Sequence, residues 1–290
     1  MANFDDDTLA IDVVANLWTH ENVKLRPDWG SDFFSGKLGQ DPGIVQGMTE
    51  AEYLHLMDVS GIERAFLPAV KAGPFGHPPG YRTPIKLISD AVHRHPDRFS
   101  GLVGIDPFEG MKGVRELEYA VKELGFIGAH LYPHWFELAP DHAKYYPFYS
   151  KCVELDVPIQ MQVGQSMIYS PDLPRRSVGR PITLDTVACD FPELKIIGIH
   201  IGIPWTEEMI AMAWKHKNVF IGSDGHAPSY WPPAFIHYLN TYGQNKVVFG
   251  TDFPTISFDR ARREIDKHNF RADPRRKLLR ENVQRIYKLN

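Results

Sequence analysis

The stretch Val247-Val248-Phe249-Gly250-Thr251-Asp252-Phe253-Pro254 decides how this chain folds. An apolar run of this kind is typical of a strand that is buried on both faces, and a proline cannot continue the hydrogen bonding of a strand. Asp252 therefore stands where the strand ends. In a barrel of parallel strands the chemistry takes place at these carboxyl ends. We expect Asp252 to be a catalytic residue.

Short apolar and β-branched runs recur along the whole chain, with helical patterns between them. They predict strands at 10–17, 63–70, 98–105, 126–132, 157–163, 194–200, 217–222 and 246–251. This alternation predicts an α/β fold, a (β/α)8 TIM barrel that forms a single domain over residues 1–290. A doubly wound open sheet is the main alternative, but the chain has no Gly-x-Gly-x-x-Gly after a strand and no Walker loop.

Three of the predicted βα loops are unusually long. They cover residues 19–48, 133–144 and 165–182 and are rich in Pro, Gly, Trp and Tyr. Loops of this length in a compact domain commonly carry function. We expect them to form a lid over a partly apolar pocket.

Composition excludes several classes of partner. The chain has 290 residues, 43% of them hydrophobic and 23% charged, and a net charge of −4. It has no basic stripe, which argues against nucleic acid and anionic membrane, and no apolar run long enough to span a bilayer. The two cysteines, Cys152 and Cys189, fall in helix-like segments, and the N-terminus lacks a signal-peptide pattern. We expect a cytoplasmic enzyme with a small-molecule substrate.

The chain resembles the amidohydrolase superfamily, in the amidohydrolase-related or "amidohydrolase 2" branch. The resemblance runs from Ile11-Asp12 to Asn282-Val283, and its firmest parts are His200-Ile201-Gly202, Asn218-Val219-Phe220 and the segment that ends in Asp252. This branch includes aromatic-acid decarboxylases, lactonases and hydratases. The resemblance implies a TIM barrel with a site at its strand ends.

Three positions depart from the metal-binding pattern of the family. Val14 and Asn16 stand where the pattern has His-x-His on strand one, and Gln162 replaces a histidine on strand five. Valine cannot bind a metal, and side-chain amides are weak neutral ligands. The departures predict a site that works with no cofactor. The alternative is one divalent metal, zinc or manganese, held by His130, His200 and Asp252.

The predicted catalytic residues are Asp252, His200 and His130. Asp252 is expected to act as general base, and the two histidines to orient water or polarise a carbonyl. The residues predicted to bind substrate are Asn16, Gln162, Trp18, Tyr132, His134, Arg180, His226 and Trp231. Arg180 is preferred to its loop neighbours Arg175 and Arg176 as a partner for a carboxylate. Asp224 is expected to close a turn.

The predicted reaction cleaves a C–O or C–C bond of a small cyclic or aromatic acid. A general base acting alone is worth about 10²–10⁴ in rate, which favours lactone or ester hydrolysis or decarboxylation over hydrolysis of an ordinary amide. Two alternatives stay open: a metal-dependent hydrolase or decarboxylase, and a non-catalytic subunit beside an active paralogue. The chain is expected to form a homo-oligomer, or a hetero-oligomer with such a paralogue.

Overall fold

Eight parallel strands form one sheet in this protein. The computed structural model describes residues 9–27, 30, 32–74, 80–168 and 175–289. The strands are β1 Ala10–Asp12, β2 Ile62–Ala69, β3 Phe99–Gly104, β4 Gly128–Leu131, β5 Ile159–Gln162, β6 Ile196–Ile199, β7 Val219–Gly222 and β8 Val247–Val248. Each pairs in parallel with the strand that follows it in sequence. The predicted (β/α)8 barrel is confirmed.

Helices separate the strands along the chain and cover the outside of the sheet. They are α1 Glu50–Val59, α2 Ile85–Arg94, α3 Met111–Glu123, α4 Tyr146–Glu154, α5 Thr183–Asp190, α6 Thr206–Lys215, α7 Pro233–Asn240 and α8 Phe258–Ile265. Helix α1 begins with a capping box, in which Thr49 and Glu52 each accept the backbone N–H of the other. This reciprocal pair satisfies donors that the helix itself leaves free.

Shorter pieces complete the fold. The loops contain the helical turns His20–Val23, Asp32–Lys37, Pro42–Val45, Pro107–Glu109, Pro133–Phe136, Ala143–Tyr145, His200–Gly202 and Pro228–Tyr230. The two-residue strands Lys71–Ala72 and Tyr81–Arg82 pair antiparallel beyond the end of β2. The C-terminal segment consists of Ala272–Arg276, a π-helical turn at Lys277–Glu281 and Asn282–Tyr287.

The barrel interior is apolar at the end opposite to the carboxyl ends of the strands. Phe66, Leu102 and Ile197 pack there with Ile286 and Tyr287 of the C-terminal helix. Burial of such side chains is worth roughly 1.5–3 kcal/mol each. The C-terminal helix therefore closes this end of the barrel, which leaves the carboxyl ends of the strands as the open face.

Hydrogen bonds between the first and last strand segments close the barrel. The N–H of Val13 donates to the carbonyl of Phe249 at 3.0 Å, and the N–H of Asp252 donates to the carbonyl of Val14 at 2.8 Å. These bonds join the two edges of the sheet, and so the open-sheet alternative is wrong. They also place Asp252 beside the segment that follows β1.

The first and last strands are shorter than the sequence predicts. Strand β1 spans Ala10–Asp12 where 10–17 is predicted, and β8 spans Val247–Val248 where 246–251 is predicted. The chain leaves the extended conformation at the end of β8, because Asp252 has a φ of 54°. His200, just after β6, has a φ of 70°. Non-glycine residues with positive φ are uncommon and concentrate at functional sites.

The described parts of the long loops after β1 and β5 meet at the open face of the barrel, where Nζ of Lys37 donates to the carbonyl of Met167 at 2.7 Å. Residues 169–174 of the predicted loop 165–182, and residues 1–8 of the predicted domain, lie outside the described part of the chain. Within the described ranges, no helix combines the length and the hydropathy needed to cross a membrane.

We predict that Asp12 is essential for the stability of the closure. Its buried carboxylate accepts the N–H groups of Val14 and Thr251, both at 3.1 Å, and the Thr251 hydroxyl at 2.6 Å. Asp12→Ala leaves these donors without a partner, so we expect the free energy of unfolding to fall by about 2–4 kcal/mol in urea titrations. Asp12→Asn keeps one carbonyl oxygen and should lose less. Equal losses in the two variants would contradict this role.

Candidate active site

A cavity of about 660 Å³, including its open mouth, lies at the carboxyl ends of the strands. Its floor is polar: Asn16 follows β1, Gln162 ends β5, His200 follows β6 and Asp252 follows β8. Four elements that are distant in sequence thus contribute one side chain each. This is the expected position of a site in a (β/α)8 barrel.

The walls of the cavity are largely aromatic. The aromatic side chains that line it are Phe33, Phe34, Tyr81, Tyr132 and Trp135. Tyr81 and Trp135 meet edge to face, with their ring centroids 5.9 Å apart. A small number of polar groups below apolar rings is typical of a pocket for a small, flat ligand.

The side chains of His200 and Asp224 face each other without a hydrogen bond between them, although the backbone N–H of His200 donates to Oδ1 of Asp224 at 3.4 Å. Nε2 of His200 lies 3.2 Å from Oδ2 of Asp224, and neither atom has a hydrogen-bond partner among the described residues. Burial holds the pKa of His200 well below its usual range and raises the pKa of Asp224 well above it. Asp224 does not merely close a turn, as the sequence predicts, because its side chain is completely buried against the imidazole. Two unpaired buried atoms in this arrangement mark a place for a proton or a cation.

Gly225 lets the loop after β7 lie directly against the His200 ring. Its φ is 75°, and a Cβ at this position would lie 2.8 Å from Cδ2 and Cγ of His200. On the opposite side of the ring system, Nε2 of Gln162 lies 3.1 Å from Nδ1 of His200. The imidazole is therefore confined from both directions.

Asp252 is held by two side-chain hydrogen bonds. Asn16 Nδ2 donates to Oδ1 at 3.1 Å, and the Thr255 hydroxyl donates to Oδ2 at 2.9 Å. Burial raises the pKa of Asp252 to about 7, although these hydrogen bonds act in the opposite direction. Its Oδ2 lies 3.8 Å from Nε2 of His200. The carboxyl groups of Asp224 and Asp252 thus both lie within 4 Å of Nε2 of His200.

Arg26 is a cavity residue that sequence reasoning missed. Its Nη2 donates to Oδ1 of Asn16 and its Nη1 to the hydroxyl of Tyr81, both at 3.0 Å. The guanidinium lies 4.2 Å from the ring centroid of Trp18 and 4.8 Å from that of Tyr81. The only available signal was its position in a loop predicted to cover the pocket. No motif singles it out.

The structure brings six of the predicted site residues into the cavity lining. They are Asp252, His200, Asn16, Gln162, Tyr132 and His226. Burial lowers the pKa of His226 to about 4, so this side chain is a neutral imidazole near neutral pH. The roles assigned to these six residues stay predictions.

His130 is not among the described residues that line the cavity. Its Nδ1 lies 2.9 Å from Oε1 of Gln160, and its ring packs edge-on against Tyr132. Gln160 donates in turn to the carbonyl of Val13, inside the barrel. Burial lowers the pKa of His130 to about 4. His130 therefore lies outside the described lining, although it is near enough to lower the pKa of His200, and its Nε2 has no hydrogen-bond partner among the described residues.

Four other predicted residues also lie outside the described lining of the cavity. Trp18 stacks on Arg26, and the N–H of Val178 donates to Nδ1 of His134. The indole of Trp231 donates to the carbonyl of His226. Arg180 is about half exposed and pairs with Glu208 on the surface, because this glutamate is the acid nearest to its guanidinium. This surface position does not support the role in carboxylate binding that we predict for Arg180.

Solved structures share this architecture. An uncharacterised TIM-barrel protein from Bordetella bronchiseptica superposes with a TM-score of 0.79 at 21% identity and covers 97% of this chain and 98% of its own. The 5-carboxyvanillate decarboxylase of Novosphingobium aromaticivorans, crystallised with manganese and 4-hydroxy-3-methoxy-5-nitrobenzoic acid, has a TM-score of 0.72 at 19% identity. The match covers 98% of this chain and 97% of that one.

The manganese in that structure overturns the expectation of a site without a cofactor. The physical reason lies in the donors that remain. Nε2 of His200 and Oδ2 of Asp224 are buried, have no hydrogen-bond partner among the described residues and lie 3.2 Å apart, and Oδ2 of Asp252 lies 3.8 Å from the same Nε2. Imidazole and carboxylate are ligands that zinc and manganese accept. The donor atoms at this point of the site are therefore of the types that one divalent cation accepts.

We predict that purified protein binds about one equivalent of Mn²⁺ per chain and that this binding depends on His200 and Asp224. His200→Ala and Asp224→Asn each remove a donor, so the bound metal should fall at least about tenfold in equilibrium dialysis followed by elemental analysis. His216→Ala is the matched control. His216 belongs, with Asp185 and Cys189, to a group of described residues whose ligand atoms all lie within 4.8 Å of one another, a spacing that His200, Asp224 and Asp252 do not meet as a set of three. Loss of metal in the control alone would contradict the assignment.

Sequence comparison defines the family independently of the fold. The chain is 26% identical over 288 residues to a gamma-resorcylate decarboxylase from Polaromonas sp. strain JS666, a match that covers 82% of this chain and 86% of the relative. The sequence profile of the family described as amidohydrolase matches residues 63–289. This chain therefore belongs to the amidohydrolase family.

Proposed function

We propose that this protein is a carboxy-lyase that removes a carboxyl group, as CO₂, from a small aromatic acid. The observation that carries the proposal is the convergence of His200, Asp224 and Asp252 beneath an aromatic cavity. The relatives named as decarboxylases of aromatic acids support the same reaction class.

The cavity can bind the substrate through its ring and its charge. Tyr132, Phe34 and Trp135 offer apolar faces against which an aromatic ring can pack. Arg26 supplies a guanidinium that forms no ion pair with a described carboxylate. An anionic aromatic ligand satisfies both features, whereas a neutral sugar or a peptide satisfies neither.

A divalent cation would be held by Nε2 of His200 and the carboxylate of Asp224, which leaves the carboxyl of Asp252 free to carry a proton. When bound, such a cation supplies positive charge that polarises substrate oxygens and stabilises negative charge in the transition state. Gln162 contributes by its contact with the other nitrogen of the His200 ring, which limits how the imidazole can turn.

Asp252 is the group that can move the proton. Decarboxylation replaces a ring C–CO₂⁻ bond with a C–H bond. The Asp252 carboxyl, protonated at Oδ2, gives its proton to the ring carbon. The C–C bond then breaks, its electron pair restores the aromatic ring, and CO₂ leaves. Thr255, whose hydroxyl contacts Oδ2, and Asn16, whose amide contacts Oδ1, hold the carboxyl in place.

Two other functions stay predictions of the sequence. Lactone or ester hydrolysis would use Asp252 to activate water, and a panel of lactones would reveal it. A non-catalytic partner subunit would need no assembled site. We prefer decarboxylation because the cavity combines a guanidinium, aromatic walls and a buried carboxyl, as an aromatic acid requires.

We predict that Asp252→Asn removes most of the activity. Asparagine tolerates the left-handed backbone of this position, so the variant should fold, but its amide cannot transfer a proton. We expect kcat to fall by about 10²–10⁴, measured as CO₂ release from a panel of hydroxybenzoates. Asp90→Asn, at an exposed carboxylate on α2 that pairs with Lys86, is the matched control. Wild-type turnover by the Asp252 variant would exclude the proposed role.

A further inference from the structure

Three side chains of metal-binding types lie together on the helical outside of the barrel. They are Asp185 and Cys189 on α5, and His216, the residue that follows α6. The ligand atoms of these three residues all lie within 4.8 Å of one another. His216 precedes β7 whereas Asp224 follows that strand, so the group lies at the other end of β7 from the cavity floor.

The two helices hold these donors in fixed relative positions. Asp185 and Cys189 are four residues apart, and side chains at this spacing are neighbours on a helix surface. The backbone N–H of His216 donates to the carbonyl of Met212, and its carbonyl accepts Nζ of Lys246 at 2.7 Å. The imidazole of His216 is therefore anchored at the end of α6, where it faces α5.

The carboxylate of Asp185 is already engaged by two donors. Its Oδ1 lies 2.6 Å from Nζ of Lys215 and 2.6 Å from Nε2 of His216. These two hydrogen bonds hold the pKa of Asp185 below its usual value, so the group is ionised near neutral pH. The side chain of Lys215 is half exposed, whereas that of His216 is only 10% exposed. The lysine can therefore move into solvent while the imidazole stays beside the carboxylate.

Cys189 adds a soft donor to this pair. Its thiol is exposed, whereas Cys152, the other cysteine of the chain, is buried. Zinc accepts thiolate, imidazole and carboxylate together, whereas manganese prefers oxygen donors. We infer that Asp185, Cys189 and His216 form a second metal site, for a thiophilic divalent cation such as zinc, that fastens α5 to α6. Binding releases the thiol proton of Cys189 and the imidazole proton that His216 donates to Asp185.

A role in ion pairing alone makes a different prediction. If Asp185 serves only to pair with Lys215 and His216, zinc leaves the reactivity of the Cys189 thiol unchanged. If the three donors bind one ion, zinc masks the thiol, and the masking requires the other two donors. Because Cys152 is buried, Cys189 reports on this group even when zinc also enters the cavity.

The test measures how fast a chromogenic disulfide reagent labels Cys189 in the native, full-length chain. The probes are Zn²⁺ and Mn²⁺, each added in stoichiometric amount to the wild type and to Asp185→Asn, His216→Ala and Lys215→Gln. Asp190→Asn is the matched control, since Asp190 is the residue next to Cys189 and does not belong to the group. Circular dichroism verifies that each variant is folded.

We expect zinc to slow the labelling of wild-type Cys189 at least about tenfold, because a thiolate bound to an ion is a poor nucleophile. Manganese should leave the rate unchanged. Asp185→Asn and His216→Ala should each need about tenfold or more zinc for the same protection. Lys215→Gln, which removes a competing cation, should need no more zinc than the wild type, and Asp190→Asn should match it.

A second measurement reports on stability. An ion that binds only the folded state raises its stability, so zinc should raise the Tm of the wild type more than that of Cys189→Ser. Equal increases in the two proteins would overturn the inference.

A labelling rate that zinc does not change would also overturn it. Equal zinc protection in the wild type, Asp185→Asn and His216→Ala would show an adventitious ion only, held by the thiol alone. Equal protection by manganese would contradict the thiophilic character of the site. The outcome is independent of the proposed function, because a failure to release CO₂ leaves the reactivity of Cys189 unchanged.

Discussion

The site depends on the hydrogen bond from the N–H of Asp252 to the carbonyl of Val14. This bond, with that from Val13 to Phe249, joins the two edges of the sheet and closes the barrel. It fixes the backbone of Asp252 in a left-handed conformation next to Asn16, whose amide then reaches the carboxyl. The hydrogen bonds that close the barrel therefore also position the carboxyl group of Asp252.

The barrel could be predicted because parallel strands leave a strong local signal. Each strand is a short apolar run, and helices such as α2 and α3 have an amphipathic repeat, so the order of elements can be inferred from residues that are close in sequence. Asp252 and His200 could be predicted for the same reason, as both follow such a run directly. The ends of β1 and β8 could not be predicted from the sequence. Asp252 has a positive φ where its N–H bonds to the carbonyl of Val14, which is distant in sequence.

Two other residues near the site, Arg26 and Asp224, could not be identified from local sequence patterns. Arg26 enters the cavity only because its loop folds over Asn16 and Tyr81, which no spacing in the sequence encodes. Asp224 has the sequence of a turn residue, yet the fold buries it against His200.

Gly225 helps to fix the orientation of the His200 ring. Because the glycine backbone presses on one side of the His200 ring and Gln162 contacts its Nδ1, the donor atom Nε2 has a fixed direction before any ligand arrives. A ligand that binds to Nε2 does not have to immobilise the His200 side chain. The loss of side-chain entropy has already occurred during folding and does not weaken binding. A side chain in place of Gly225 would turn the ring away from Asp224. The orientation of the His200 ring thus depends on a residue that has no side chain at all.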